Sequence, residues 1–153
     1  MDAPMKTKSN LIFHIACIGS GAVVASFLVR KGQYFFENMA FLWLPQAGIL
    51  LCMWLLGAHL TAISGTALVL SLYLTVFEAH MFHNPGPDSA LAWLGYLFSL
   101  PGAGIGALVG TAIIKSRKIH KTTVASMVAV ISTLIGLAIN QTAICNTVLY
   151  CGL

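Results

Sequence analysis

Charge is what this sequence has least of. Of its 153 residues only 8 per cent are charged, with four carboxylates among them, whereas 58 per cent are hydrophobic. A soluble globular domain carries roughly 25 per cent charged residues, because its surface faces water. This chain has too few to clothe a soluble protein of its size, and its mean hydropathy is +0.88. Transmembrane barrels alternate apolar and polar residues in short segments of about ten. Here the apolar runs are continuous, so the expectation is an all-α integral membrane protein forming one polytopic domain.

Catalytic motifs are equally scarce. There is no Walker A sequence, no G-x-S-x-G, no H-E-x-x-H and no paired Asp-rich motif. The four cysteines form no C-x-x-C and no zinc spacing. The loops are too short to hold a soluble catalytic domain. The chain therefore reads as non-enzymatic, with no soluble cofactor. Its net charge of +4 does not point to nucleic acid. All eight basic residues stand at the edges of apolar segments, where they set topology and meet anionic headgroups.

What is present is a series of apolar segments. The first runs over 11–29, between Lys6-Lys8 and Arg30-Lys31. A signal peptide has a similar layout, but His14 interrupts the apolar stretch and a basic pair follows where a cleavage site would lie. An uncleaved helix is the better reading. The stretch from Met39 to Phe82, as one helix, would be about 66 Å long, roughly twice the hydrocarbon thickness. It divides at Gly57-Ala58-His59-Leu60-Thr61 into spans near 39–57 and 62–82, the first kinked by Pro45. The segment His83-Asn84-Pro85-Gly86-Pro87-Asp88-Ser89 ends the third span, and Asp88 or Ser89 can cap the fourth, near 90–114. After the basic loop Lys115–Lys121 the last span covers about 122–145.

This gives a bundle of about five transmembrane helices with short loops, or four if 39–82 fails to cross twice. In the five-span arrangement Lys6, Lys8, Lys115, Arg117, Lys118 and Lys121 share one side, and only Arg30 and Lys31 the other. The positive-inside rule then places the N-terminus inside and the C-terminus outside. Tyr34, Phe35, Phe36, Trp43, Trp93 and Tyr96 fall near the outer interface, as an aromatic belt requires. Short loops and basic flanks suggest a bacterial inner membrane.

Four features could carry function. Gly102, Gly106 and Gly110 recur every fourth residue, and Ala103 and Ala107 widen the stripe. Small residues at this spacing let a second helix approach closely, either within the chain or from a homo-oligomer or another membrane subunit. Glu78, His80, His83 and Asp88 gather at the outer end of the third span. Imidazole and carboxylate donors suit a divalent transition metal, although hydrated polar residues at headgroup depth look the same in sequence. Glu78 and His14 are also ionisable groups inside spans, and so candidates for a polar or proton site. They stand far apart along the membrane normal and are not expected to pair. Asn140 and Gln141 read as interhelical hydrogen-bonding groups. Cys17 and Cys52 read as small buried residues, and Cys145 with Cys151 as a possible short disulfide.

The functional expectation is an accessory, assembly or immunity-type subunit that works by association through the glycine stripe. The rival is a small transporter or ion-conducting protein that uses the polar cluster around Glu78.

Overall fold

The computed structural model describes residues 3–29, 33–83 and 89–147. Those residues form five α-helices: α1 (Ala3–Leu28), α2 (Phe35–Leu55), α3 (Leu60–His83), α4 (Ser89–Ser116) and α5 (Thr122–Thr147). Among the described residues there is no strand. The windows Phe35–Leu55, Leu60–Ala79, Leu94–Ser116 and Thr122–Asn146 are each long and apolar enough to cross a membrane; the apolar part of α1, Leu11–Phe27, is shorter. The chain is thus a multi-pass helical membrane bundle, with α1 as its least apolar member.

The breaks lie close to where the sequence puts them. The turn between α2 and α3 centres on Gly57, which has φ +68°, and its N–H bonds to the Trp54 carbonyl while Ala58 reaches back to Met53. A left-handed residue closing two such bonds is a Schellman C-cap, and glycine suits it because it has no Cβ to clash. α2 begins earlier than expected, at Phe35, and α3 begins at Leu60. Pro45 and Pro101 both sit inside helices that continue past them. A proline deletes one backbone donor and pushes its ring against the preceding turn, and in a membrane bundle neighbouring side chains satisfy the freed carbonyls.

Helix directions follow from the interhelical contacts. His14 meets Ser64 and Ser20 meets Ser71, so α1 and α3 run parallel. Gly102 packs at Gly136 and Asn140 while Gly110 packs at Ala129 and Ser132, so α4 and α5 run antiparallel. α3 is the central helix and touches the other four, whereas among the described residues α1 packs only on α2 and α3. Buried on α3 are the small or hydroxylated Ala62, Ser64, Thr66, Ala67 and Ser71, together with the larger Ile63, Val69, Leu70 and Leu74. With no hydrophobic drive between helices in lipid, such small residues gain from close contact and interhelical hydrogen bonds.

Candidate functional site

The glycine stripe forms an intramolecular seam. A Cβ on Gly102 would collide with the Gly136 carbonyl and the Asn140 side chain, and one on Gly106 with the Ser132 carbonyl. Gly110 is slightly looser, 3.0 Å from Ser132 Cβ, and Gly136 of α5 is the complementary thin point, facing Gly102 and Gly106. Ala103 and Ala107 are fully buried beside them. The five residues do form a helix-packing face, but α5 of the same chain occupies it. Of the two arrangements that the spacing allows, the packing seam within the chain is the one seen here, and a second helix cannot reach this face without displacing α5. The α2–α4 side is more open, with a lateral apolar groove of about 270 Å³ lined by Pro45, Gly48, Ile49, Cys52, Gly104 and Leu108.

A buried polar layer, absent from the sequence-based expectations, crosses the bundle. Gln46 donates from Nε2 to the Tyr96 hydroxyl at 2.6 Å, and that hydroxyl donates to the Leu42 carbonyl at 3.1 Å. Tyr73 stacks on Tyr96, with ring centroids 5.8 Å apart, and its hydroxyl meets Ser99 Oγ at 2.6 Å and Gln141 Oε1 at 3.4 Å. On the other flank Ser20 and Ser71 hydroxyls lie 2.7 Å apart. Gly21 leaves room for Gln46 beside this pair, since a Cβ there would stand 2.7 Å from Gln46 Oε1 and 3.3 Å from Ser71 Oγ. Every helix contributes at least one group. Its sequence signals were a glutamine inside an apolar span and the seven-residue spacing of Ser64, Ser71 and Glu78, which places all three on one side of α3.

Among the described residues eight polar or charged side chains are buried: Gln46, Ser64, Thr66, Ser71, Glu78, Ser99, Thr111 and Thr133. Seven have hydrogen bonds. Glu78 is the exception. It is only 6 % exposed, and its Oε2 has no hydrogen-bond partner among the described residues. Buried polar groups are nearly always satisfied, and a buried charge is costly unless paired, so an orphaned carboxylate oxygen asks for a ligand.

His14 stands far from Glu78, as the sequence implied. Its Nδ1 lies 2.8 Å from Ser64 Oγ. The Ser64 hydroxyl donates to the Leu60 carbonyl at 2.9 Å, so the imidazole is the donor in the histidine–serine bond. Glu78 is fourteen positions farther along α3, about 21 Å at ~1.5 Å per residue.

His80 and His83 belong to the last turns of α3, but their side chains, and Asp88 entirely, lie outside the described residues. Among the described residues no group of three or more His, Cys, Asp or Glu side chains could hold a metal ion. Asn140 and Gln141 act between helices as expected, Asn140 Nδ2 donating to the Phe98 carbonyl at 2.6 Å. Cys17 is a buried free thiol. Cys52, expected to be buried, is exposed beside the α2–α4 groove, because α2 packs its opposite face inward through Leu42, Gln46, Leu50 and Met53. Cys145 is disulfide-bonded, and Cys151 lies outside the described residues.

Comparison of the chain with protein-family models, curated proteins and solved structures finds no match.

Proposed function

We propose that this chain is a non-enzymatic membrane protein that passes a small cation across the bilayer, with the Glu78 carboxylate as the group that takes the cation up. The observation that carries this reading is Glu78 Oε2, which has no hydrogen-bond partner among the described residues, whereas every other buried polar side chain among them is bonded. Ionisable residues held inside membrane bundles mark ion pathways and relays, because their desolvation is otherwise uncompensated. The accessory-subunit reading rested on the glycine stripe, and α5 now accounts for that stripe.

The setting we propose is a bacterial inner membrane. Lys115, Arg117, Lys118 and Lys121 lie at the end of the bundle that holds the α2–α3 turn, with Lys115 Nζ donating to the Leu56 carbonyl. By the positive-inside rule this end faces the cytoplasm and Glu78 sits toward the outside.

The test is cation flux into proteoliposomes carrying wild type or Glu78→Gln. Wild type is expected to exceed empty vesicles and the variant to match them. A wild type with no flux under proton, sodium or potassium gradients would overturn the reading. If the same preparation brought down a defined membrane partner, the accessory-subunit role would replace it.

A further inference from the structure

We infer that the route is the seam between α1 and α3, and that what travels along it is a proton handed between side chains. This inference rests on the Glu78 reading and adds to it a path and an ion.

The seam is polar on both sides at two rungs. On α3 the buried Ser64, Ser71 and Glu78 share one side, and the exposed Thr75 stands beside them, one helical turn from Ser71 and one from Glu78. On α1, His14, Cys17 and Ser20 follow at three-residue steps. The two rows meet in direct hydrogen bonds, His14 to Ser64 at 2.8 Å and Ser20 to Ser71 at 2.7 Å. Between these two rungs stand Cys17 and Ala67, both buried and small. Glu78 closes one end of the row and His14 stands at the other.

The middle rung has a property that suits proton transfer. Ser20 Oγ lies 2.7 Å from the Cys17 carbonyl, Ser71 Oγ 2.8 Å from the Ala67 carbonyl, and the two hydroxyls 2.7 Å from each other. Each hydroxyl has a single proton, so two protons serve three short contacts. One contact is always without its own proton, and either hydroxyl can turn from a carbonyl to its neighbour. A proton arriving at one serine can therefore leave from the other without any heavy atom moving.

The same rung argues against a metal cation. Two oxygens in direct hydrogen bond leave no room for an ion between them, and the small residues Gly21 and Ala25 hold α1 close to α3 above it. Potassium or sodium would have to part the helices. The other titratable side chains near this layer are Tyr73 on α3 and Tyr96 on α4, which bond to Ser99 and Leu42 and lie off the α1 side.

The experiment uses full-length protein in vesicles with an internal pH dye, under a potassium diffusion potential set by valinomycin. Ser71→Ala and Ser20→Ala each remove one hydroxyl of the rung. Each is expected to slow acidification roughly tenfold, equivalent to about 1.4 kcal/mol on the barrier. Ser20→Thr keeps a hydroxyl and is expected to restore most of the rate, which a merely structural role for Ser20 would not require. If either alanine variant is unfolded by size-exclusion chromatography, the other serves. Alanine variants that conduct like wild type while Glu78→Gln is silent would overturn the route and leave the Glu78 reading standing. Acidification that requires sodium, or potassium efflux through the protein in vesicles without valinomycin, would overturn the proton assignment. No flux in wild type would end both.

Discussion

Asn140 of α5 donates its side-chain amide to the carbonyl of Phe98, three residues before Pro101 in α4, at 2.6 Å. The same relation recurs one helix away, where the Tyr96 hydroxyl donates to the carbonyl of Leu42, three residues before Pro45. Both prolines open their helix by removing a donor and crowding the turn before them. Each time a polar side chain from a neighbouring helix bonds a carbonyl in the turn that the proline ring crowds, one residue past the carbonyl whose donor the proline removes (Leu97 and Phe41). The prolines and their partners are therefore coupled units that fix how α5 sits on α4 and α4 on α2.

This coupling is measurable as a double-mutant cycle. Asn140→Ala alone should cost about 1 kcal/mol, within the range of interhelical bonds in membranes. Pro101→Ala restores the missing backbone donor and lets the turn close. In that background the cost of Asn140→Ala should shrink by half or more. Equal costs in both backgrounds, read from denaturation in mixed micelles, would show that the asparagine acts independently of the proline.

The glycine seam predicts a contrast within one helix. A Cβ at Gly106 meets the Ser132 backbone, which cannot move without shifting α5, whereas one at Gly104 stands 3.5 Å from Ile49 Cγ1, an ordinary contact. Gly106→Ala should destabilise by about 1–3 kcal/mol or prevent folding, as overpacking does. Gly104→Ala should be neutral or stabilising by up to about 1 kcal/mol through better helix propensity. The two swap identical chemistry two residues apart. Similar stability for both, in thermal unfolding followed by tryptophan fluorescence, would refute the seam.

How far the sequence could be read is clearest at these positions. Glycines every fourth residue announced that α4 has a thin face, because spacing on a helix is fixed by its geometry. Nothing in that spacing says what lies against it, and the answer came from Gly136, a lone glycine on α5 with no pattern of its own. Gly57 was legible as a turn because only a break could fit two spans into the length from Met39 to Phe82. Gln46, Ser20 and Ser71 were not, since a serine in an apolar helix looks the same whether it faces lipid, its own backbone or another helix. Glu78 and His14 stood out as ionisable, yet only packing distinguishes the orphaned carboxylate from the bonded imidazole.

That distinction makes a prediction about stability as well as flux. An unpaired buried carboxylate is destabilising, and replacing it with an apolar group of similar length removes the desolvation cost. Glu78→Leu should therefore unfold later than wild type, by about 1–3 kcal/mol, while losing whatever Glu78 does. His14→Leu should go the other way, because it breaks the imidazole's bond to Ser64, whose hydroxyl keeps its bond to the Leu60 carbonyl, and relieves no unpaired group. If Glu78→Leu is the less stable of the two, the carboxylate has a partner that holds it and is a structural group.

The last prediction concerns a lysine in a place that suits glycine. Lys118 has φ +48°, with its N–H bonded to the Lys115 carbonyl and Ile119 reaching back to Ile114, so it ends α4 by the same Schellman geometry that Gly57 gives α2. A side chain in the left-handed region costs about 1–2 kcal/mol, and glycine avoids that cost while losing some of it to chain entropy. Lys118→Gly should then stabilise the protein by about 0.5–1 kcal/mol relative to Lys118→Ala, which removes the same charge but keeps a Cβ. Gly57→Ala should lose a comparable amount. Because Lys118 is exposed at the basic end of the bundle, its strain is offset by no packing, and what the lysine supplies there is charge. Should the glycine and alanine variants melt together, the left-handed cap carries no strain.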